Sequence, residues 1–201
     1  RLEGADDRPL VALSHSLATS HEMWGLQLPL LTQHFRVLAY DMRGHGATTA
    51  TDGAYTLEQL ADDIAGLIAH LGYGRAHFVG LSIGVMIGQV LALRHPHLVE
   101  RLALGCTMTG APDAAGRKLW DERIKLVEAD GVESQVEGTI ARWLSADFIA
   151  RANEICVELP SAVPIATLIE LGVFLRRSTR SMPFLIGESG FTVTEIYSEN
   201  R

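Results

Sequence analysis

Cysteine is scarce in this sequence: Cys106 and Cys156 are the only two among 201 residues, with no CxxC pair and no histidine at ligand-like spacing beside them. That argues against a disulfide framework and against a bound metal, and it fits a reducing cytoplasm. Basic residues are also short, 17 Lys and Arg against 24 Asp and Glu, for a formal charge of −7. A chain of that sign is a poor match for a phosphate backbone, so nucleic acid is not an expected partner. No apolar run nears the ~18 residues of a membrane span, and the opening Arg1-Leu2-Glu3-Gly4-Ala5-Asp6-Asp7 lacks the charged-then-apolar order of a signal peptide. The expectation is a soluble, unexported protein with no membrane partner. The first residue is Arg, not Met, at what reads as the end of a strand, so sequence ahead of it is expected to have been lost. Histidine and aspartate run out early: the last of eight His is His97 and the last of ten Asp is Asp147.

What is present is apolar material, 47% of the residues, enough for one packed core. Pro9-Leu10-Val11-Ala12-Leu13 and Phe35-Arg36-Val37-Leu38-Ala39-Tyr40 read as buried strands that end in polar loops, Ser14-His15-Ser16 and Asp41-Met42-Arg43-Gly44-His45-Gly46. Between them, residues 23–31 place apolar side chains at helical spacing. Leu57, Leu60, Ile64, Leu67, Ile68 and Leu71 form an amphipathic stripe behind a Thr56 N-cap, closed by Gly72. A third strand over residues 76–80, a helix over 83–94 stopped by Pro96, and a fourth strand over 98–104 follow. Strands alternating with helices predict a mostly parallel sheet flanked by helices, with sites at the C-terminal ends of its strands. Residues 1–110 read as this α/β core, and the helical pattern of residues 111–155 as a lid over it. Residues 156–201 read as a divergent segment, returning to the core sheet at 183–187.

The sharpest motif is Gly80-Leu81-Ser82-Ile83-Gly84, between a strand and a helix. A serine hydroxyl is a weak nucleophile until a tight turn presents it to a base and to backbone N–H groups that receive the developing oxyanion. Any Cβ at the flanking glycines would strike the neighbouring strand or helix. Ser82 is therefore the candidate nucleophile. The expected oxyanion donors are the N–H of Ile83 and, from the loop after the first strand, that of Leu17. His15 precedes the serine and is read as shaping that loop through a hydrogen bond. His45 is likewise read as fixing its loop, without a partner at metal-ligand spacing.

These pieces together resemble the α/β-hydrolase fold, and within it the 3-oxoadipate enol-lactonases. The likeness rests on Leu2-Glu3-Gly4, Leu13-Ser14-His15-Ser16-Leu17, Tyr40-Asp41-Met42-Arg43-Gly44-His45-Gly46, the serine motif, and Trp120-Asp121-Glu122-Arg123-Ile124 running to Ala141-Arg142-Trp143. It covers residues 1 to about 156. The resemblance implies hydrolysis of a small ester or lactone by a Ser–His–Asp triad with no cofactor and no metal. Arg142 and Trp143 are the candidate substrate contacts, a cation for a substrate carboxylate and an apolar wall. Esterases and cofactor-free haloperoxidases share the sheet motifs and stay as alternatives. The sequence leaves oligomeric state open.

The pattern then breaks. In this fold the acid and the histidine follow the serine in chain order. Beyond Ser82 only His95 and His97 occur, at the far end of the helix that the serine begins. Met182-Pro183-Phe184-Leu185-Ile186-Gly187-Glu188-Ser189-Gly190 resembles the strand that carries the acid, with Gly190 where the family has Asp and Glu188 two residues early. The expected reading is a hydrolase whose C-terminal part is missing or altered and whose activity is impaired. A ligand-binding remnant without catalysis is the alternative.

Overall fold

In the computed structural model, the described residues are 1–106, 113–143, 145–147 and 149, with the side chain of Arg142 left out. They fall in two compact units, one containing the sheet and one made of helices.

Among the described residues the sheet unit has five strands: β1 (Leu2–Glu3), β2 (Leu10–Ser14), β3 (Arg36–Tyr40), β4 (Ala76–Leu81) and β5 (Val99–Gly105). Their order is β1-β3-β2-β4-β5. β1 runs antiparallel to β3, and every other pair is parallel. β2 lies in the middle with all five residues buried, which is why Leu10-Val11-Ala12-Leu13 reads as a continuous apolar run instead of an alternating one. The chain leaves β2 toward β3 on one side, and leaves β4 toward β5 on the other. The C-terminal ends of β2 and β4 are thus the place where the strand order reverses, the crevice in which open α/β sheets put their ligands.

Two helices flank the sheet. Helix α2 (Leu57–His70) begins with a reciprocal cap: the Gln59 N–H donates to Thr56 Oγ1 at 3.1 Å, and the Thr56 N–H to Gln59 Oε1 at 3.0 Å. It buries Leu60, Ala61, Ile64, Ala65 and Ile68. Helix α3 (Ile83–Arg94) buries Gly84, Val85, Ile87, Gly88, Leu91 and Ala92. Both contribute to one core with Leu10, Ala12, Leu38, Tyr40 and Phe78 of the strands. The expected helix over residues 23–31 is instead a 3₁₀ turn at His21–Trp24 and a single α-turn, α1 (Leu28–Leu31). Gly25 ends the first piece and Pro29 starts the second, so the apolar spacing was that of two short segments burying Met23, Trp24 and Leu28.

The helical unit contains α4 (Ala114–Asp130), capped by Asp113, whose Oδ1 accepts the Gly116 N–H at 2.8 Å. A 3₁₀ turn at Val132–Gln135 and α5 (Val136–Trp143) follow it among the described residues. Gly131, at φ +80°, makes the break between α4 and the turn. The Arg123 guanidinium lies 4.4 Å from the Trp120 ring centroid and donates from Nε to Gln135 Oε1 at 3.1 Å, joining α4 to that turn. Among the described residues no helix is long and apolar enough to cross a membrane.

Two glycines determine how close α3 comes to the sheet. A Cβ on Gly80 would lie under 3.0 Å from backbone atoms of Gly84 and Val85, and one on Gly84 under 3.0 Å from the carbonyl oxygens of Ser14 and His15. Backbone cannot step aside as a side-chain tip can. Gly84→Ala is expected to cost about 3 kcal/mol or more in urea unfolding, as overpacking against a fixed neighbour does. Gly66→Ala, in the middle of α2 with open space around its Cβ position, should instead gain about 0.5–1 kcal/mol. Equal effects of the two substitutions would contradict this packing.

Candidate active site

Ser82 sits between the last residue of β4 and the first of α3, at φ 55° and ψ −115°. A non-glycine residue rarely holds a positive φ, and such strain costs on the order of 1–3 kcal/mol unless the surroundings enforce it. Here they do. The Ser82 N–H donates to the Gly105 carbonyl of β5 at 3.0 Å, and its own carbonyl accepts the Val85 N–H at 3.0 Å as α3 begins. The turn is locked on both sides, leaving Ser82 half-buried. Ile83 opens α3, where first-turn N–H groups have no partner within the helix and carry the positive end of its dipole.

The loop after β2 lies next to this turn. Ser14 pairs with Gly80 in the sheet, and the Ser14 and His15 carbonyls face Gly84. Leu17 follows within that loop and is half-buried. Ala18 has φ 60°, a second non-glycine residue in the left-handed region, in a turn closed by the Thr19 N–H on the Ser16 carbonyl at 3.3 Å.

The loop after β3 supplies acceptors that hold the β2 loop. Asp41 Oδ1 takes the His21 N–H at 2.7 Å and its Nδ1–H at 2.8 Å, while Oδ2 takes the Ala47 N–H at 3.0 Å. Burial works to raise the Asp41 pKa, but these donors outweigh it and hold the carboxyl below its ordinary value. His45 Nε2 accepts the Ala18 N–H at 3.2 Å, and its Nδ1–H donates to the Arg43 carbonyl at 3.2 Å. Arg43 in turn makes a two-pronged bond to Asp63 of α2, at 2.8 and 2.6 Å. Gly44 and Gly46, both at positive φ, let this loop fold back under Asp41.

His15 is fully buried between the loops. Its Nδ1–H donates to the Ser16 carbonyl at 2.8 Å, and Nε2 accepts the Met42 N–H at 3.0 Å, an arrangement only the neutral ring can make. Burial lowers its pKa to about 4, partly offset by the Ser16 hydrogen bond, with His45 pushing the same way as burial.

Ser82, Ile83 and the Leu17 loop are all carried by the adjoining ends of β4 and β2. His95 and His97 lie beyond the opposite end of α3. His95 Nε2–H bonds to Asp62 of α2 at 2.7 Å, sharing that carboxylate with Arg94. Trp143 ends α5 in the helical unit, half-buried, and Arg142 precedes it in the same helix. Glu188 and the rest of the 183–190 stretch lie outside the described residues. Among the described residues no three His, Cys, Asp or Glu side chains group as a metal site. The sequence reading passed over His21 and Asp41 as a pair. They lie twenty positions apart on loops that only the β2–β3 pairing brings together, and neither falls in a spacing motif.

The comparisons with known proteins agree with this architecture. Residues 9–146 match the family model described as "alpha/beta hydrolase fold". The chain belongs to the α/β-hydrolase family. It is 33% identical over 156 residues to 3-oxoadipate enol-lactonase 2 of Acinetobacter baylyi, covering 78% of this chain and 57% of that protein. It is 36% identical over 168 residues to a RutD protein of Yersinia enterocolitica named for carbamate hydrolysis, covering 83% of this chain and 60% of the relative. Among solved structures, the enol-lactonase from Burkholderia xenovorans superposes with a TM-score of 0.72 at 35% identity, covering 86% of this chain and 63% of that one. The chain spans a little over half the length of the curated relatives it matches.

Because neutral His15 bonds at both ring nitrogens, pH should act through it. The unfolded chain takes up a proton below the ordinary histidine value near 6.5, whereas the folded chain resists until about 4. Its contribution is complete above pH 6.5 and is lost as pH falls toward 4, up to about 3 kcal/mol. Urea midpoints at pH 7.5, 5.5 and 4.5 should fall accordingly, and the fall should be shallower in His15→Gln. The same fall in both proteins would contradict it.

Proposed function

We propose that this α/β hydrolase acts on carboxylic ester bonds in small molecules, with enol-lactones of the 3-oxoadipate type as the leading substrates and Ser82 as nucleophile. The observation that supports it most is Ser82 held at positive φ on a strand-to-helix turn, where the strand order of the sheet reverses. In the proposed reaction Ser82 Oγ attacks the acyl carbonyl carbon and its proton passes to a base. The carbonyl oxygen becomes an oxyanion held by the N–H groups of Ile83 and Leu17, its collapse breaks the C–O bond of the ester or lactone as the base returns the proton to the departing oxygen, and water, deprotonated by the same base, attacks the acyl carbon so that the acid leaves and Ser82 Oγ regains its proton. Arg142 and Trp143 are kept as substrate contacts on the sequence resemblance alone, as is the lid role of residues 111–155. A cytoplasmic setting rests on composition. The RutD relatives make carbamates a second class of acyl compound worth assaying.

The base is the missing part. His15 is buried with both nitrogens bonded, and His95 is engaged with Asp62 at the far end of α3. Loss of a triad member in serine hydrolases costs on the order of 10⁴ to 10⁶ in turnover. The 201-residue chain should therefore hydrolyse an activated aryl ester and an enol-lactone only weakly. Appending a homologous C-terminal segment with an Asp and a His should raise turnover by at least about 10³, and Ser82→Ala should abolish the gain. Strong Ser82-dependent turnover in the chain as it stands would mean that a histidine described above serves as base, with His21 on Asp41 the first to replace. No turnover in either form would favour the ligand-binding remnant.

A further inference from the structure

The Ser16 carbonyl receives three donors: the His15 Nδ1–H at 2.8 Å, the Thr19 Oγ1–H at 2.8 Å and the Thr19 N–H at 3.3 Å. A carbonyl has room for two good hydrogen bonds and seldom collects three from its immediate neighbours. The peptide bond explains what this concentration accomplishes. The Ser16 C=O and the Leu17 N–H belong to one planar trans unit and point in opposite directions. Fixing the oxygen therefore fixes the direction of the N–H, to which no described residue makes a hydrogen bond. The rest of the loop is held by other bonds, since the Ser16 N–H donates to Met23 Sδ at 3.4 Å and His45 Nε2 accepts the Ala18 N–H at 3.2 Å.

We propose that His15 and Thr19 are positioning residues for the oxyanion site: by gripping the Ser16 carbonyl they aim the Leu17 N–H at the acyl oxygen above Ser82. This rests on the proposed hydrolase reading and deepens it. Neither residue touches the substrate. Both hold a peptide plane whose far edge does. His15 is suited to the task because burial between the loops keeps it neutral, and the Met42 N–H on Nε2 forces the proton onto Nδ1, where it faces the Ser16 oxygen. Thr19 is suited because its hydroxyl and its own N–H reach the same oxygen from one residue. A preorganised donor acts on a developing charge without reorganising at the moment of reaction, so small errors of aim are costly.

The test uses Thr19→Val, which keeps the side-chain shape and removes the hydroxyl, and Thr19→Ser, which restores it. Two measurements are made. The first is the amide ¹H–¹⁵N signal of Leu17 in the free 201-residue chain, and the second is the rate at which a fluorophosphonate labels Ser82 in that chain carrying the appended C-terminal segment with its Asp and His. Thr19→Val should shift the Leu17 signal and slow labelling about tenfold, as loss of one aiming bond would. Thr19→Ser should recover both, while the urea midpoints of the three proteins stay close enough that all are folded at the assay conditions. A Leu17 signal unmoved by Thr19→Val would overturn the proposal, as would a shifted signal with unchanged labelling. If Ser82 is not labelled in any of the proteins, the nucleophile reading fails, and with it the part of this proposal that gives the aim a purpose. The Leu17 signal then still decides whether the peptide is aimed. His15→Asn, which retains a donor near the Nδ1 position, should keep more of the labelling rate than His15→Gln. The reverse order would count against the role given to His15.

Discussion

The close approach of α3 to the sheet, backbone against backbone at Gly80, Gly84 and the Ser14 carbonyl, is the constraint from which the rest of the site follows. With no Cβ at either glycine, the helix can start directly off the end of β4 while lying against β2. One residue is left to reverse the chain between strand and helix, and that residue must take a backbone conformation a serine would not choose. The strain at Ser82 is thus a product of packing, sustained by the buried contacts of Val85, Ile87 and Leu91 and by the bond to Gly105. Relief of the strain would require pulling α3 away from Phe78, whose ring already closes on Gly88.

A second layer of order is polar. The loop after β2 owes its shape to acceptors and donors on the loop after β3: Asp41 for His21, His45 for Ala18, and the Met42 N–H for His15. The two loops follow neighbouring parallel strands, so register in the sheet brings the acceptors to the donors. Where such a network is buried, as at His15 and the Met42 N–H, it holds one arrangement firmly when every member is satisfied. They also make the site sensitive to acid, since an imidazole that must accept a hydrogen bond cannot do so once protonated.

The parts of this structure legible in the sequence are those set by local pattern. The stripe from Leu57 to Leu71 and the Thr56 cap point to α2, the apolar run 9–13 points to a buried strand, though not to its central place in the sheet, and the GxSxG spacing between a strand and a helix points to the turn at Ser82. Residues 23–31 misled because apolar spacing alone does not distinguish one helix from two short turns, and the breaks at Gly25 and Pro29 decided it. The His21–Asp41 pair and the grip of His15 and Thr19 on one carbonyl were not legible. They depend on strand register and on the direction of a peptide plane, which no spacing of letters encodes.

Packing of α3 on β2 and β4 holds Ser82 in the left-handed region, and the backbone torsion of Ser82 in solution shows whether it does. In uniformly ¹³C,¹⁵N-labelled chain, scalar couplings across the Ser82 N–Cα bond, with the carbon shifts of Leu81 to Ile83, report the sign of φ. The expected result is a positive φ near the 55° of the structure. A negative φ, with Ser82 continuing either the strand or the helix, would contradict it.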